Sequence, residues 1–229
     1  MSTYLLINIA IIIFPLLASF EPRFIHHIRN MKPILASILL VGIPFVAYDM
    51  LATAAGFWSF NPAHVGSLHL LNIPMEEVLF FITAPFSCLF VYECIIHFFR
   101  DRSLNIPPVL FSALPALLIT GSILTLPLLY TSSILAISAF TILLVRLARP
   151  AILQSSAFYI FLPITFFLFL AFNYILTSIP IVIYGPEFNS GIRILTIPIE
   201  DSFFNFSMLT LNLLVYLWAK EILLRRFIN

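Results

Sequence analysis

A short acidic motif occurs twice in the chain, and its two copies lie 124 residues apart. The first copy is IPMEE at residues 73–77, and the second is IPIED at residues 197–201. In both, a proline is followed by two adjacent acids. Proline is favoured in the first turn of a helix, and acids there interact favourably with the helix dipole. Each motif therefore predicts the start of a helix.

The same offset aligns residues well outside the motif without a gap. Polar residues in apolar runs coincide, as do aromatic residues and a basic or titratable residue seven positions before the first acid. Such self-similarity at a fixed spacing indicates an internal duplication. The aligned pairs are Phe45 and Phe169, Asp49 and Asn173, His69 and Arg193, Phe80 and Phe204, and Tyr92 and Tyr216.

Composition assigns the duplicated chain to the membrane proteins. Of its 229 residues 62% are apolar and only 9% are charged, and the mean hydropathy is +1.10. A soluble domain of this size needs a larger share of charged residues for its surface. The net charge of +1 comes without a basic cluster, which argues against a nucleic-acid partner.

Seven apolar runs are long enough to predict transmembrane helices, since a hydrocarbon core of about 30 Å requires about 20 residues. The expected fold is an all-α polytopic membrane protein. The predicted helices cover residues 3–20, 33–53, 74–98, 108–126, 128–147, 156–179 and 198–220.

Lysine and arginine placement predicts the orientation of these helices. Ten of the eleven basic residues fall on one side, and Arg193 alone falls on the other. Because cytoplasmic loops carry an excess of such residues, the N-terminus is expected outside and the C-terminus in the cytoplasm of a multi-pass protein. The ten are Arg23, Arg29, Lys32, Arg100, Arg102, Arg146, Arg149, Lys220, Arg225 and Arg226.

The duplication and the span count together predict a three-plus-one-plus-three parallel repeat. Residues 1–103 form the first copy, 104–127 a connecting helix and 128–229 the second copy, related by an axis along the membrane normal. Both acidic pairs then lie on the outer side. Asp49 lies about 24 Å along its helix at about 1.5 Å per residue, near the depth of Glu76. We therefore expect the polar groups of four helices to converge.

The converging residues favour proton chemistry over a merely structural role. Acids after a proline can simply complement the helix dipole, but two pairs in register, each with a polar partner at similar depth, favour a functional site. Two adjacent carboxyl groups in a poorly solvated pocket cannot both ionise easily, so one can act as an acid and the other as a base. The candidates are Asp49, Glu76, Glu77, Asn173, Glu200 and Asp201, with His69 and Arg193 as supporting polar residues.

Aromatic residues near the acids would suit a cationic intermediate, because aromatic faces attract cations. Phe80 and Phe204 lie one turn beyond Glu76 and Glu200, and Tyr92 and Tyr216 lie further along the same helices. The sequence contains no glycine-rich nucleotide motif and no metal-ligand spacing. We therefore expect neither a cofactor nor a metal.

These features resemble the membrane lycopene cyclase domain family, whose mark is Pro-x-Glu-Glu or Pro-x-Glu-Asp with Phe-Phe nearby and a later tyrosine. The resemblance covers nearly the whole chain as two fused copies. It implies cyclisation of lycopene to γ-carotene and β-carotene by protonation, ring closure and deprotonation, without redox change or cofactor. It also implies a lipophilic carotenoid substrate, and it is compatible with association with other enzymes of that pathway. If the roles of the family's acids are carried over to the two motifs, Glu76 and Glu200 donate protons or stabilise the cation. Glu77 and Asp201 are then proton-sharing partners or bases.

Other functions remain open at this stage. The same fold could form an ε-ring, cyclise a longer carotenoid or hydrate the cation, since the position of the base decides the outcome. A parallel three-plus-one-plus-three repeat also describes SWEET-type sugar carriers, so transport of a small solute is the alternative from another class. The oligomeric state is not predicted.

Overall fold

The structure, a computed structural model, describes residues 1–21, 25 and 27–225, with side chains up to residue 223. Of the basic residues used to predict orientation, Arg23, Arg226 and the side chain of Arg225 lie outside the described residues. Seven α-helices account for most of the chain. They are α1 Thr3–Ala18, α2 Met31–Ala55, α3 Met75–Phe98, α4 Leu110–Leu124, α5 Leu129–Ala148, α6 Ser156–Ser178 and α7 Ile199–Arg225.

All seven predicted helices are present, and their bounds differ from the prediction by a few residues. The helices α2, α3, α5, α6 and α7 are long and apolar enough to cross a membrane. The other two are shorter, with 16 residues in α1 and 15 in α4. At about 1.5 Å per residue they extend about 22–24 Å, less than a hydrocarbon core of about 30 Å. By length and composition, five helices are therefore long enough to span, and α1 and α4 are shorter apolar helices.

Local sequence explains where several helices begin and end. The Ser2 and Ser155 hydroxyls accept backbone N–H groups at the starts of α1 and α6. The helix α2 ends at Gly56, whose φ of 86° is readily adopted by glycine. Pro74 occupies the cap position before α3, so the two acids fall in the first turn.

Six short strands correct the expectation of a purely helical fold. In the described part of the chain they are β1 Trp58–Phe60, β2 His69–Leu70, β3 Ile73–Pro74, β4 Val182–Tyr184, β5 Arg193–Ile194 and β6 Ile197–Pro198. Strands β2 and β3 form a hairpin leading into α3, and β5 and β6 form one leading into α7. Both hairpins turn through a leucine with positive φ, Leu71 at 54° and Leu195 at 58°.

The remaining two strands join the first half of the chain to the second. Strand β1 pairs antiparallel with β4, and the middle residues, Ser59 and Ile183, are partners. These two residues also correspond at the 124-residue offset. Their pairing joins the loop that follows α2 to the loop that follows α6, at the end of the bundle where α3 and α7 begin.

Apolar side chains occupy both the interior and the surface of the bundle. Phe161, Leu213 and Tyr216 belong to a fully buried core between α2, α3, α6 and α7. Outside, Leu51 and Phe167 are more than two-thirds exposed, at 71% and 72%. Large exposed apolar surfaces are unfavourable in water and typical of contact with lipid. With the five long helices, they indicate a membrane protein.

Candidate active site

Four polar residues from four helices line one cavity of about 70 Å³, which we call the polar chamber. Asp49 lies near the end of α2 and Asn173 near the end of α6, while Glu77 and Asp201 lie in the first turns of α3 and α7. All four are buried. The structure therefore brings together two of the four predicted catalytic acids and both predicted polar partners.

Asp201 accepts three hydrogen bonds from neutral donors. The Tyr130 hydroxyl is 2.6 Å from its Oδ1, and the Tyr184 hydroxyl is 2.5 Å from its Oδ2. The Asn173 amide donates to the same Oδ2 at 2.8 Å. Several donors to one carboxylate favour its charged form. Asp201 is thus the acid of the chamber that is best stabilised as an anion.

Tyr184 comes from the short strand β4. Burial, together with the nearby Asp201 carboxylate, raises the pKa of Tyr184 well above its usual range. Because burial disfavours the phenolate, the hydroxyl stays protonated and remains a donor to Asp201. The strand pairing thereby contributes directly to the environment of an acid on α7.

Glu77 and Asp49 have fewer hydrogen-bond donors than Asp201. The Tyr4 hydroxyl donates to Glu77 Oε2 at 2.6 Å. Asp49 lies close enough to Trp58 and to Glu77 to interact electrostatically with both. Asp49 Oδ2 is buried and has no hydrogen-bond partner among the described residues. One carboxyl oxygen of Asp49 thus has no hydrogen-bond partner among the described side chains around the chamber.

Glu76 and Glu200 do not line the chamber, although each is adjacent to an acid that does. Glu76 Oε1 accepts the Gly66 N–H at 2.8 Å and the Ser2 hydroxyl. Glu200 Oε1 accepts the Ser190 N–H at 2.7 Å and the Thr131 hydroxyl at 2.6 Å. Both are buried. They tie the loop before each motif and the start of α1 or α5 to the motif helix.

Aromatic rings form much of the chamber wall. Phe80 and Phe204, both predicted to contact substrate, line it. Trp58 also lines it, with its ring centroid 5.1 Å from that of Tyr130. Phe204 packs edge-on against Phe45 at 5.1 Å. The chamber therefore combines carboxyl groups with aromatic faces.

The other predicted site residues lie elsewhere. Tyr92 and Tyr216 belong to the buried core, away from the chamber, and the Tyr216 hydroxyl donates to Glu93. His69 is exposed, with Nδ1 3.1 Å from the Ser67 carbonyl oxygen. Arg193 is also exposed and donates to the Thr196 carbonyl oxygen at 2.7 Å. Neither basic side chain reaches an acid of the chamber.

Among the chamber residues that were not predicted from the sequence, four are aromatic residues with a polar group: Tyr4, Trp58, Tyr130 and Tyr184. Two of them carried a usable signal, because Tyr4 and Tyr130 each lie at the start of the first helix of a copy. Their spacing differs by two residues from the offset of the motif, so an alignment without gaps does not pair them. Tyr184 corresponds to Phe60, and this difference gave no signal for a site.

Comparison with known proteins identifies the family. A family model described as lycopene cyclase matches the chain in two segments, residues 1–95 and 127–219. No curated protein and no solved structure matches the chain significantly. The first segment contains Asp49 and Glu77, and the second contains Asn173 and Asp201. The matched segments cover most of the chain, which therefore belongs to the lycopene cyclase family.

Proposed function

We propose that the chain is an integral membrane carotenoid cyclase that converts lycopene to γ-carotene and then to β-carotene. The observation that carries this proposal is the polar chamber, in which three carboxyl groups face one another among aromatic rings. The reaction requires a proton donor, a surface that stabilises a carbocation and a proton acceptor, and it consumes no oxidant. Membership of the lycopene cyclase family supports the same substrate class.

The charge balance of the chamber favours retained protons. Its described lining contains Asp49, Glu77 and Asp201, and no lysine, arginine or histidine. Ionised groups without a partner are strongly unfavourable inside a membrane bundle. A cluster of three carboxyl groups is much less unfavourable when it holds protons. Such a cluster is a source of protons for a polyene.

Hydrogen bonding then suggests a role for each acid. Asp201, with three donors, is assigned as the carboxylate that stabilises the cation. Asp49 has a carboxyl oxygen without a partner, and we assign it as the proton donor, with Glu77 sharing its proton. Aromatic faces such as those of Phe80 and Phe204 provide further stabilisation of positive charge.

The proposed reaction is balanced in atoms and electrons. The donor adds a proton to the terminal double bond of lycopene and leaves a tertiary cation. The electrons of an internal double bond attack that cation, forming the ring carbon–carbon bond and a new cation in the ring. Loss of a ring proton to a carboxylate forms the ring double bond. One proton enters and one leaves, so the product is an isomer of the substrate.

We assign Glu76 and Glu200 a positioning role, which differs from the donor role that the family resemblance implied. Each accepts a backbone N–H and a hydroxyl, and each lies outside the chamber lining. Their hydrogen bonds hold the loops and the first helix of each copy against α3 and α7. The neighbouring acids, Glu77 and Asp201, are thereby oriented into the chamber.

The proposal includes the duplicated organisation and the orientation in the membrane. Residues 1–103 and 128–229 are two copies in parallel, with residues 104–127 as the connector. Support comes from the two segments of the family match and from the equivalent hairpins before α3 and α7. The N-terminus is proposed to be outside and the C-terminus cytoplasmic. The Arg149–Glu221 and Lys220–Glu93 ion pairs, at the end of the bundle away from the chamber, agree with a basic cytoplasmic side.

Expression in a lycopene-accumulating bacterium tests this function. The expected result is loss of lycopene and appearance of γ-carotene and β-carotene on pigment chromatography, absent from the empty-vector strain. An ε-ring product would mean that the proton is lost from another ring carbon, and a hydroxylated product would mean that water captures the cation; either would overturn the proposed product. Unchanged pigment, together with solute uptake into vesicles that contain the purified protein, would favour transport and overturn the proposal.

A further inference from the structure

An apolar cavity of about 330 Å³ lies between α1, α3 and α6, and we call it the first groove. Its lining includes Ile11 and Phe14 of α1, Ala84 and Val91 of α3, and Leu168 of α6. Phe14 is 69% exposed, so the groove opens towards the surface that faces lipid. Its volume falls within the range of about 300–1,000 Å³ that is usual for small-molecule sites.

The first groove adjoins the polar chamber. Phe80, Phe169 and Asn173 line both spaces. Asn173 is the residue that donates to Asp201, and Phe80 lies one turn beyond Glu77. The groove therefore lies directly beside the chamber, and these shared residues separate the two spaces.

A second groove of about 340 Å³ lies between α2, α5 and α7, the helices that correspond to α6, α1 and α3. Phe45 of this groove corresponds to Phe169 of the first, and Val215 corresponds to Val91. The second groove shares no described lining residue with the polar chamber. The Phe204 ring, which packs against Phe45 at 5.1 Å and Tyr48 at 6.0 Å, lies between the two spaces.

We propose that the first groove binds the polyene chain of the substrate and that the second groove does not. This inference rests on the proposed function, because it takes the occupant to be a linear, hydrocarbon polyene. The chamber, at about 70 Å³, has room for little more than the reacting end. The rest of a long carotenoid needs an apolar space that adjoins the chamber and opens to the bilayer, and the first groove meets both conditions.

The two grooves supply a matched pair of variants. Val91 and Val215 are both valines at equivalent positions, both are partly buried, and each lines one groove. Val91→Trp fills the first groove, and Val215→Trp fills the second by the same added volume. Two readouts are measured: conversion of lycopene in membranes, and lycopene retained per mole of detergent-purified protein, determined by absorbance.

Val91→Trp is expected to lower both conversion and retained lycopene by about tenfold or more, as a filled apolar pocket does. Val215→Trp is expected to change each by less than about twofold, because its groove does not reach the chamber. Equal losses in the two variants, or wild-type behaviour of Val91→Trp, would overturn the inference. If Val91→Trp does not accumulate in membranes, Val91→Phe and Ala84→Leu take its place, each with the same expected direction.

The two readouts separate this inference from the proposed function. If the wild-type protein retains lycopene in a Val91-dependent manner but does not convert it, the groove assignment stands and the cyclase function fails. If the wild-type protein converts lycopene and filling the first groove changes neither readout, the function stands and the groove assignment fails.

Discussion

The two halves of the chain reach the polar chamber with different chemistry. In the first half, Glu77 faces Asp49, a second carboxyl group whose Oδ2 has no partner among the described residues. In the second half, the equivalent positions hold Asp201 and Asn173, and the amide donates to the carboxylate. One half therefore collects groups that can carry protons, and the other surrounds one acid with donors. The single difference between Asp49 and Asn173 thus gives the two proposed roles, proton donor and stabilising carboxylate, different surroundings.

The largest effect is expected from making the first half resemble the second. Asp49→Asn keeps the shape of the side chain and removes the proposed donor, so ring formation should fall by about a thousandfold. The measurement is the initial rate of lycopene loss in membranes, normalised to the amount of protein. Asn173→Asp is the reciprocal variant and should lose less, because Asp201 keeps two tyrosine donors. A normal rate for Asp49→Asn would show that Asp49 is not the proton donor.

A second comparison separates the two acids of one motif. Glu77→Gln should lower the rate by about a hundredfold, because Glu77 lines the chamber. Glu76→Gln should lower it by about tenfold or less, since an amide oxygen can still accept the Gly66 N–H. Protein level and thermal stability in detergent, measured alongside the rate, distinguish loss of chemistry from loss of fold. A larger loss of rate in Glu76→Gln than in Glu77→Gln would favour Glu76 as the proton donor.

A smaller effect is expected at the hydrogen bonds that only the second half has. The residue equivalent to Tyr184 in the first half is Phe60, so Tyr184→Phe makes the two halves alike at this position. The variant removes one hydrogen-bond donor from Asp201. A hydrogen bond to a charged group contributes about 1.5–3 kcal/mol, so a loss of about tenfold or more is expected in the rate. Tyr159→Phe is the control, because its hydroxyl bonds the Leu153 carbonyl oxygen at the other end of the bundle. Equal effects of the two variants would show that the Asp201 network is not part of the chemistry.

The smallest effect is expected at the exposed basic positions of the two halves. His69→Ala and Arg193→Ala change equivalent residues in the two hairpins, and neither contacts a chamber acid. Each rate should stay within about twofold of wild type, as is usual for surface substitutions. A large loss in either variant would mean that the outer loops supply or remove the proton.

The positions of the helices could be predicted from sequence because each is a long apolar run, and proline and acids mark where α3 and α7 begin. The six strands could not, because they are two or three residues long and depend on turns such as Leu71, where a leucine adopts positive φ. A strand is recognised from apolar and polar residues that alternate over at least four positions, and strands of two or three residues are too short to show this alternation. The lengths of α1 and α4 were also overestimated, since apolar residues continue beyond the last helical turn.

The site was predictable in part for a related reason. Depth along a helix follows from counting residues, and this placed Asp49 near the level of Glu76 and Asn173 near that of Glu200. Direction around the helix does not follow, because adjacent residues such as Glu76 and Glu77 face about 100° apart and only packing decides which one meets the chamber. Tyr92 and Tyr216 align as well as the acids do, yet they lie in the core at a different depth.

Cyclisation in D₂O tests whether the chamber acids donate the proton, because the protons of these acids exchange with solvent. Each ring formed by the wild-type protein is expected to carry one deuterium, seen by mass spectrometry of the purified carotene. The Asp49→Asn variant is expected to form almost no ring in the same time. Rings without deuterium, or deuterated rings formed at the normal rate by Asp49→Asn, would contradict proton donation by the chamber acids.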